Sequence, residues 1–437
     1  MSSESSVSLD KIVALCKRRG FVYQSSDIYG GLNGVYDFGP LGTLLKQNIR
    51  RAWIESLKKT DTDIVFFEGS ILGSYDVWKA SGHAEHFNDP MVDCLNCRKR
   101  YRTDEIDLEK SCPHCGKKNW TRARQFNMMF KTNLGAAADE SSIAYLRPET
   151  AQSIFINFKN VISTSRVHIP FGIAQIGKAF RNEITPKQFL FRMREFEQME
   201  LEWFCKRENA DRYFTYWLDE RKQFYETIGI KKENIRLRAH DKKELAHYSS
   251  QTTDFEYHFP FGWKELEGVA HRGNFDLTQH SKHSGKELAV YDEQTKQSYI
   301  PDVIECSVGV DRLFLTVLFD AYTRDFISGE ERIVLKISPK LAPIKAAFLP
   351  LTKKLADEFL PIYKKIRKQT GLDLQFDVSG SIGKRYRRQD EIGTPVCFTY
   401  DFESQTDGKV TARNRDSTSQ ERISIDQLES YLINVLQ

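Results

Sequence analysis

The sequence predicts an α+β protein in which a domain built on an antiparallel sheet carries a small zinc-ribbon-like insert and is followed by a mixed α/β domain. Three observations predict this organisation. A long hairpin pattern covers residues 171–204, two cysteine pairs lie within residues 94–115, and strands alternate with helices after residue 345. With 437 residues the chain is too long for one ordinary core, so two or three domains are expected.

The hairpin pattern has the period of two that is typical of strands, around a polar loop at residues 184–190. One face would carry Gln175, Gly177, Ala179, Arg181 and Glu183 on the first strand and Arg192, Arg194, Phe196, Gln198, Glu200 and Glu202 on the second. Cations, carboxylates and an aromatic ring on one face are costly as packing but suit a ligand with both phosphate and amine groups. The alternative is a solvated sheet with salt-bridged pairs.

Charge and composition limit the classes of partner. The net charge of +4 is too small to indicate a nucleic-acid partner by itself. From Arg332 onward, however, 18 basic residues oppose 13 acidic ones, a net of +5, which leaves −1 for the preceding residues. The C-terminal part is therefore the one expected to attract a polyanion.

The ends and the cysteines give expectations about location. The polar start MSSESSVSLD has no signal-peptide pattern, and no apolar run could span a bilayer, so no membrane association is expected. Eight cysteines in so long a chain do not suggest a disulfide scaffold, which favours the reducing cytoplasm.

The first part of the chain predicts two helices around a glycine-rich loop. Residues 8–19 form the first helix, ended by Gly20, and residues 43–59 form a longer amphipathic one. The glycines of residues 29–42 predict a tight, close-packed loop, which lacks a Walker lysine. Residues 63–72 then predict a buried strand.

Residues 92–121 carry the sharpest local signal. Cys94, Cys97, Cys112 and Cys115 form two CxxC pairs, and four thiolates at this spacing are typical of structural zinc. The alternatives are four incidental thiols or a redox pair; a redox pair is disfavoured because there are two pairs rather than one.

In the middle of the chain, one helix is expected to begin at Leu146-Arg147-Pro148-Glu149-Thr150 and a second to cover residues 209–228. Strands are expected over residues 235–277, where Glu265 and Glu267 share a face. A strand at residues 303–306 leads into a helix after Gly309. Arg312 in the first turn of that helix opposes the macrodipole, which indicates a nearby anion or simply a local acid.

The remainder predicts a charged linker over residues 328–343 and then an alternating α/β domain with a mainly parallel sheet. Its strands are expected at residues 346–349, 372–377, 396–400 and 409–415, and its helices at 353–369, 383–391 and 426–436.

These motifs, in this order, resemble those of the class II aminoacyl-tRNA synthetases. The hairpin with FRNE and FRMREFEQME is similar to motif 2, GVDR at a helix start to motif 3, and the helix from Thr43 with the following strand to the dimer-forming motif 1. The segment YDFGPLG, the FRNE and REFEQME segments and the terminal α/β domain together resemble the homodimeric glycyl-tRNA synthetases over nearly the whole chain.

The resemblance implies an enzyme that attaches glycine to tRNA(Gly) through a glycyl-adenylate, with ATP and Mg²⁺, a structural Zn²⁺, a homodimer and no DNA partner. It implies a catalytic domain at residues 1–338 and an anticodon-binding domain at residues 339–437. Catalytic roles go to Arg181 at the α-phosphate and glycine carboxylate, Arg312 at the γ-phosphate, and Glu305, which with Glu265 is a candidate for magnesium.

The binding residues are implied in the same way. Those implied for ATP are Arg181, Asn182, Glu183, Phe191, Arg192, Met193, Arg194, Glu195, Phe196, Glu265, Leu266, Gly309, Val310, Asp311 and Arg312. Those implied for the substrate are Arg102, Glu149, Phe196, Glu197, Gln198, Met199, Glu200, Glu305, Cys306, Ser307, Val308 and Gly309. One departure is Cys306, where the family usually has proline in EPS, which affects the expected pose of Glu305.

The chemistry of the residues agrees with this implication. Attack of a carboxylate on an α-phosphate needs positioning and charge neutralisation rather than a side-chain base, and no Ser-His-Asp or Cys-His pattern is evident. Glycine has no side chain to recognise, so its pocket must bind the ammonium with carboxylates and exclude a β-carbon sterically.

Two other functions stay open at this point. One is a synthetase-like binding protein without catalysis, such as the accessory subunit of a DNA polymerase; the presence of Arg181, Glu183 and Arg312 disfavours it. The other is a class II synthetase for threonine, serine or proline, which the acidic amine pocket and YDFGPLG disfavour.

The basic helix at residues 383–391 is the expected RNA-binding element of the last domain. Lys384, Arg385, Arg387 and Arg388 would contact phosphate, and Tyr386 would stack on a base of a single-stranded loop. The alternative is a solvated helix face.

Overall fold

The computed structural model describes residues 7–136, 142–246, 249–327 and 329–436. The first six residues of the polar start and Ser328, where the expected linker begins, lie outside the described residues. Within these ranges, no helix is both long and apolar enough to cross a bilayer.

The part of the chain before residue 336 contains eight described helices and nineteen strands. The helices are α1 (Leu9–Arg19), α2 (Pro40–Lys58), α3 (Tyr75–Ala80), α4 (His83–His86), α5 (Ala151–Ser165), α6 (Ala210–Thr227), α7 (Phe275–Ser284) and α8 (Val310–Ala321). The strands are β1 (Val22–Gln24), β2 (Tyr36–Phe38), β3 (Ile64–Phe66), β4 (Leu72–Ser74), β5 (Asn88–Asp93), β6 (Arg100–Arg102), β7 (Arg124–Asn127), β8 (Lys131–Asn133), β9 (Ile143–Leu146), β10 (Phe171–Phe180), β11 (Glu195–Cys205), β12 (Ile235–Ala239), β13 (Gln251–Phe259), β14 (Gly262–Gly273), β15 (Val290–Asp292), β16 (Gln297–Tyr299), β17 (Asp302–Gly309), β18 (Tyr322–Ile327) and β19 (Glu330–Leu335).

The rest of the chain forms a second α/β unit. Its helices are α9 (Ala356–Thr370), α10 (Ile382–Ile392), α11 (Ser404–Asp407) and α12 (Leu428–Leu436), and its strands are β20 (Ala346–Pro350), β21 (Leu374–Phe376), β22 (Val396–Tyr400), β23 (Lys409–Asn414) and β24 (Gln420–Ser424). Strands β21, β20 and β22 are parallel, whereas β23 and β24 are antiparallel, so the sheet is mixed.

A seven-stranded sheet organises the first part, in the order β12-β13-β14-β17-β11-β10-β3. Six of its strands are antiparallel to their neighbours, and only β3 pairs parallel, with β10. Helices α2, α6 and α8 cover one face with the largest apolar core. The predicted α+β class, with an antiparallel first domain and an α/β second domain, is confirmed.

The hairpin register agrees with the sequence pattern. Gln175 pairs with Glu200, Gly177 with Gln198 and Ala179 with Phe196, so these side chains share a face. Strand β10 ends at Phe180 and β11 begins at Glu195. The connection between them is therefore longer than the expected residues 184–190 and includes Arg181, Glu183, Arg192 and Arg194. The solvated-sheet alternative is wrong, because Gln175, Glu200 and Glu202 are buried.

The glycine-rich segment is close-packed, as predicted. A Cβ at Gly42 would lie 1.9 Å from the Phe21 carbonyl oxygen, so only glycine lets α2 approach β1 this closely. Gly34 has a φ of +74°, and a Cβ there would lie 2.6 Å from the ring of Pro186 in the β10–β11 connection. The segment therefore supports that connection directly.

Several predicted elements differ from the structure. The strand expected at residues 63–72 is short and half-exposed, because β3 is the edge of the sheet and has one partner. Leu146 ends strand β9, and the following helix begins only at Ala151, so Pro148 and Glu149 precede it. Residues 275–277, at the end of the strand region expected over residues 235–277, instead begin helix α7, and the expected linker contains β19.

A β-bulge separates two acidic residues that were expected to share a face. The register of β13 and β14 shifts at Phe255, so Glu256 pairs with Glu265 and Phe255 with Glu267. Glu267 is fully buried against Arg221 of α6, with the two side chains 2.7 Å apart, whereas the Glu265 side chain is 55% exposed. A single extra residue in a strand reverses the alternation beyond it.

The expected RNA-binding cluster on α10 is wrong for two of its members. Arg385 is 2% exposed and donates hydrogen bonds to the carbonyls of Pro350, Leu351 and Asp377. The Tyr386 hydroxyl bonds to Thr399, and its ring packs below Arg413. The helix packs on the sheet of its own domain, so Arg385 is buried and Tyr386 is only partly exposed, with its hydroxyl already bonded to Thr399.

A buried ionic network joins the two parts of the chain. Asp390 of α10 is 1% exposed and accepts hydrogen bonds from Arg332 of β19 and Arg413 of β23. Arg332 also binds Asp325 on the neighbouring strand β18. The network fixes the C-terminal domain against the β18–β19 hairpin.

We predict that Asp390→Ala lowers the free energy of unfolding by about 3–5 kcal/mol, because the buried Arg413 loses the carboxylate it binds and the buried Arg332 keeps only Asp325. Urea unfolding of the intact chain measures this. The exposed Asp373→Ala is the matched control and is expected to change stability by less than about 0.5 kcal/mol. A loss below about 1 kcal/mol for Asp390→Ala would contradict the structural role of the network.

Candidate active site

A cavity of about 460 Å³ lies on the sheet face opposite α6, over strands β11, β14 and β17. The β10–β11 connection and the start of α8 form its rim. Predicted residues that line it are Glu149, Arg181, Glu183, Phe191, Arg192, Met193, Phe196, Glu197, Gln198, Glu200, Glu265, Leu266, Glu305, Ser307, Gly309, Asp311 and Arg312. Segments more than 100 residues apart in the chain therefore meet in one cavity.

Other predicted residues lie outside the described lining of the cavity: Arg102, Asn182, Arg194, Glu195, Met199, Cys306, Val308 and Val310. Arg102 binds Asp89 and Asp104 in the insert. Cys306 is buried and points to the opposite face from its neighbours Glu305 and Ser307, which both line the cavity. The departure from EPS thus leaves these two side chains at the cavity.

One end of the cavity is cationic. The Arg181 guanidinium lies 5.3 Å from the ring centroids of both Phe87 and Phe196, and its Nε donates to the Pro148 carbonyl. Arg312 lies 4.5 Å from the ring of Phe191 and 3.3 Å from the Glu265 carboxylate. Arg181 is held by aromatic faces and a backbone carbonyl, and the one carboxylate beside Arg312 is exposed at the rim, so both guanidinium groups can still bind an anion.

The other end of the cavity is acidic. Carboxylate oxygens of Glu200, Glu202 and Glu305 lie within 4.8 Å of one another, and we call these three residues the acidic cluster. Glu202 and Glu305 are directly opposite on β11 and β17. Arg272 of β14 is 2% exposed and donates to Glu305 at 2.5 Å, which offsets part of the repulsion.

Burial and mutual repulsion raise the pKa values of the acidic cluster. Burial and then the charge of Glu305 raise the pKa of Glu200 to about 8, although a hydrogen bond from Thr150 opposes this. Burial and Glu305 also raise the pKa of Glu202 well above its usual range. Burial raises the pKa of Glu305, against the opposing effect of Arg272. Without a bound cation, Glu200 therefore retains its proton near neutral pH.

Glu149 behaves in the opposite way. Burial acts to raise its pKa, but the His83 charge, the Arg272 charge and a hydrogen bond from Gln152 lower it more, so the net direction is downward. Glu149 is thus held ionised, next to a cluster in which Glu200 is protonated near neutral pH. A cationic group in the cavity would contact the negative charge of Glu149. It would also favour the loss of protons from the acidic cluster.

Sequence reasoning missed the residues behind the acidic end. Asp276 of α7 forms two hydrogen bonds with Arg272, at 2.8 and 2.9 Å, and accepts a third from Gln152. Gln152 in turn accepts from His280, whose pKa burial lowers to about 4. The signal that could have found them is the pattern of Asp276 and His280 one turn apart, but residues 275–277 were interpreted as strand.

Helix α2 supports the cavity from the covered face of the sheet. Lys46 is 2.5 Å from Asp311 and 3.1 Å from Glu197, and Arg50 also binds Glu197 at 2.6 Å. The second oxygen of Asp311 accepts from the Glu197 backbone N–H. This ionic group fixes the start of α8, and hence Arg312, relative to β11.

The four cysteines of the insert converge as predicted. Their Sγ atoms lie within 4.8 Å of one another, with Cys94 and Cys115 at 3.5 Å and Cys97 and Cys112 at 3.8 Å. Four thiol sulfurs around a common centre fit a tetrahedral zinc ion. All eight cysteines are free, so neither CxxC pair is a disulfide.

Comparison with known proteins gives a consistent result. The family described as tRNA synthetase class II core domain (G, H, P, S and T) matches residues 130–322, and the family described as Anticodon binding domain matches residues 345–435. Glycine–tRNA ligases of Caldanaerobacter subterraneus subsp. tengcongensis and Geobacillus kaustophilus are each 49% identical to the chain over 98% of both sequences. The glycine–tRNA ligase of Borreliella afzelii is 50% identical, over 98% of this chain and 97% of its own.

We predict that the stability of the ligand-free protein falls as pH rises from about 4.5 to about 8, partly through Glu200. In this window the unfolded chain has lost the Glu200 proton and the folded chain keeps it, so raising the pH favours unfolding. Glu200→Gln removes this titration and should flatten the slope by up to about 4 kcal/mol over the window.

Urea unfolding midpoints at pH 5, 6.5 and 8 provide the measurement. Glu293→Gln, at a side chain that is 81% exposed, is the control and should keep the wild-type slope. The same slope in wild type and Glu200→Gln would show that Glu200 is not held protonated.

Proposed function

Because the chain belongs to the glycine–tRNA ligase family of class II aminoacyl-tRNA synthetases, we propose that the cavity is where glycine is activated by ATP. The enzyme attaches glycine to tRNA(Gly) through a glycyl-adenylate. The observation that supports this use of the cavity is its division into a cationic end, with Arg181 and Arg312, and an acidic end, with Glu149 and the acidic cluster. Glycine is a zwitterion and ATP carries a polyphosphate, so binding them side by side needs both a cationic and an acidic end.

The reaction has two steps with balanced leaving groups. A carboxylate oxygen of glycine attacks the α-phosphorus of ATP, and pyrophosphate leaves with the electrons of the broken P–O bond. A ribose hydroxyl of the tRNA end then attacks the glycyl carbonyl and gives up its proton to the departing phosphate oxygen or to water, while AMP leaves with the electrons of the broken C–O bond. The first step brings two anions together, so fixed cations supply most of its acceleration.

The two arginines are assigned to different anions. Arg181, between the rings of Phe87 and Phe196, is proposed to bind the α-phosphate and the glycine carboxylate. Arg312, over the Phe191 ring at the rim, is proposed to bind the γ-phosphate. The adenine is proposed to stack on Phe196, with Glu183 at its amino group. No side-chain base is required, because the attacking carboxylate is already ionised.

The acidic end is proposed to select glycine. Glu149, Glu200 and Glu305 would bind its ammonium, and Ser307 lies on the same strand face. The pocket is proposed to exclude any amino acid with a side chain larger than hydrogen. A pocket discriminates effectively when it rejects a larger substrate sterically. The relatives' name supports glycine over threonine, serine or proline, and Arg181, Glu183 and Arg312 at one cavity disfavour a protein without catalysis.

The two carboxylates proposed for magnesium are Glu265, beside Arg312 at the cationic end, and Glu305, at the acidic end. Glu265 lies at the rim with its side chain 55% exposed, and Glu305 lies deeper in the cavity. Both are hard oxygen donors of the kind that magnesium prefers. When bound with ATP, the ion would neutralise phosphate charge, and these two side chains are proposed to hold it.

The other parts of the chain are assigned by their position. We infer a homodimer that forms through α2 and the edge strand β3, whose Phe66 is 44% exposed. Sedimentation as a 50.7 kDa monomer at micromolar concentration would refute the homodimer. The C-terminal domain, 339–437, is proposed to bind the tRNA anticodon through a surface other than Arg385 and Tyr386. The free thiols favour a reducing cytoplasm.

We predict that the wild type catalyses glycine-dependent ATP–pyrophosphate exchange and that Arg181→Ala lowers its rate by about a hundredfold or more. The reason is the loss of a donor at the phosphate where charge develops. Lys178→Ala is the matched control, because Lys178 lies three residues earlier, in β10, and pairs with Glu195 outside the cavity lining. Equal rates for Arg181→Ala and Lys178→Ala would refute the assignment, and exchange with another amino acid instead of glycine would refute the substrate.

We also predict about one zinc ion per chain, held by the four cysteines. Elemental analysis of protein purified without chelator measures it. The double variant Cys112→Ser/Cys115→Ser should lose the zinc, because two of four thiolates are removed, whereas Cys397→Ala in the other domain should keep it. Wild-type protein that is free of zinc, with four titratable thiols in the insert, would refute a structural metal.

A further inference from the structure

The tip of the β10–β11 connection, residues 187–192, has a strained backbone. Gln188 and Phe189 have φ values of +61° and +57°, which are uncommon for residues with a β-carbon. Each such conformation is unfavourable and persists only where neighbouring contacts hold it. Since Phe191 and Arg192 both line the cavity, the contacts that hold this tip also set the shape of the rim.

One side of the tip is held by apolar packing. Leu190 is 1% exposed, and the Phe189 ring lies 5.0 Å from that of Tyr36 in an edge-to-face arrangement. The two ends of the tip meet in a single antiparallel bridge between Lys187 and Arg192. These contacts fix the base of the tip but do not determine where the two basic side chains at its ends point.

The other side of the tip is held by the cysteine insert. A single oxygen of Glu105, in the turn after β6, lies 2.7 Å from the Lys187 Nζ and 3.5 Å from an Arg192 nitrogen. The Nε of Arg192 lies 3.2 Å from Glu183, another residue that lines the cavity. Arg192 is therefore bound at both ends of its guanidinium group, once by the insert and once by the rim.

The position of Glu105 is itself fixed by the fold of the insert. Its backbone N–H donates to the Arg102 carbonyl, and Arg102 is bound to Asp89 and Asp104. Glu105 is 23% exposed, whereas Glu109, four residues later, is 88% exposed and binds only Lys118 among the described contacts. The two carboxylates thus belong to one insert but face different surroundings.

We propose that Glu105 is a positioning residue for ATP: it binds both ends of the strained tip and so holds Arg192 and Phe191 in the arrangement that receives the nucleotide. The proposal rests on the proposed function, because it assigns the nucleotide to this rim. An exposed ion pair usually contributes little to stability. Glu105 differs because it bridges two separate segments and its effect is local to one ligand.

The test separates the two substrates. In the exchange assay, Glu105→Gln is expected to raise the KM for ATP about three- to fivefold, while the KM for glycine and kcat stay within about twofold of wild type. A general loss of folding would change both KM values and kcat together. Equilibrium dialysis with radiolabelled ATP measures the nucleotide affinity without any turnover and should weaken by the same factor.

Two further variants make the test specific. Glu109→Gln, in the same insert, should leave both KM values unchanged. Glu105→Lys places a cation beside Lys187 and Arg192 in place of their shared carboxylate and should raise the ATP KM further than Glu105→Gln does, with the KM for glycine still within about twofold of wild type.

An unchanged ATP KM in Glu105→Gln would overturn the proposal, as would equal increases in the KM values for ATP and glycine. An ATP KM in Glu105→Lys no higher than that in Glu105→Gln would also overturn it. If the wild type itself showed no exchange, the proposed function would fail, and the ATP dialysis measurement would still decide the role of Glu105.

Discussion

The contact on which the site depends is the one between Arg272 and its two acidic partners. Arg272 is almost fully buried, is held by Asp276 through two hydrogen bonds and reaches Glu305 at the cavity. Three carboxylates this close would not remain buried without a cation that is itself rigidly held. The position of α7, which carries Asp276, is therefore a condition for an acidic cavity that can bind an ammonium group.

The opposite end of the cavity is built by a different principle. Arg181 and Arg312 contact aromatic faces and carbonyl groups, and the one carboxylate beside Arg312 is itself exposed at the rim. Arg181 and Arg312 can therefore still bind an anion, whereas the charge of Arg272 is already paired with protein carboxylates. Two ends with opposite charge, a short distance apart, suit a small zwitterion whose carboxylate must meet a phosphate.

The rim between these ends is supported from three distant parts of the chain. Gly34 of the glycine-rich segment packs on Pro186, Glu105 of the insert binds Lys187 and Arg192, and α2 fixes the start of α8 through Lys46 and Asp311. Each support is a contact between segments that are far apart in sequence. The cavity is thus a property of the assembled domain and not of the hairpin alone.

The sequence by itself determined the elements whose signal is local. Alternation of side chains set the faces and the register of the hairpin, the CxxC spacing brought the four cysteines together, and apolar periodicity located most helices of both domains within a few residues. Only the tertiary structure decided which side of an element is buried and what it meets. The bulge that separates Glu265 from Glu267, the burial of Arg385 and Tyr386, and the contact of Asp276 with Arg272 all depend on long-range pairing. The free energy of those contacts comes from partners that no local pattern contains.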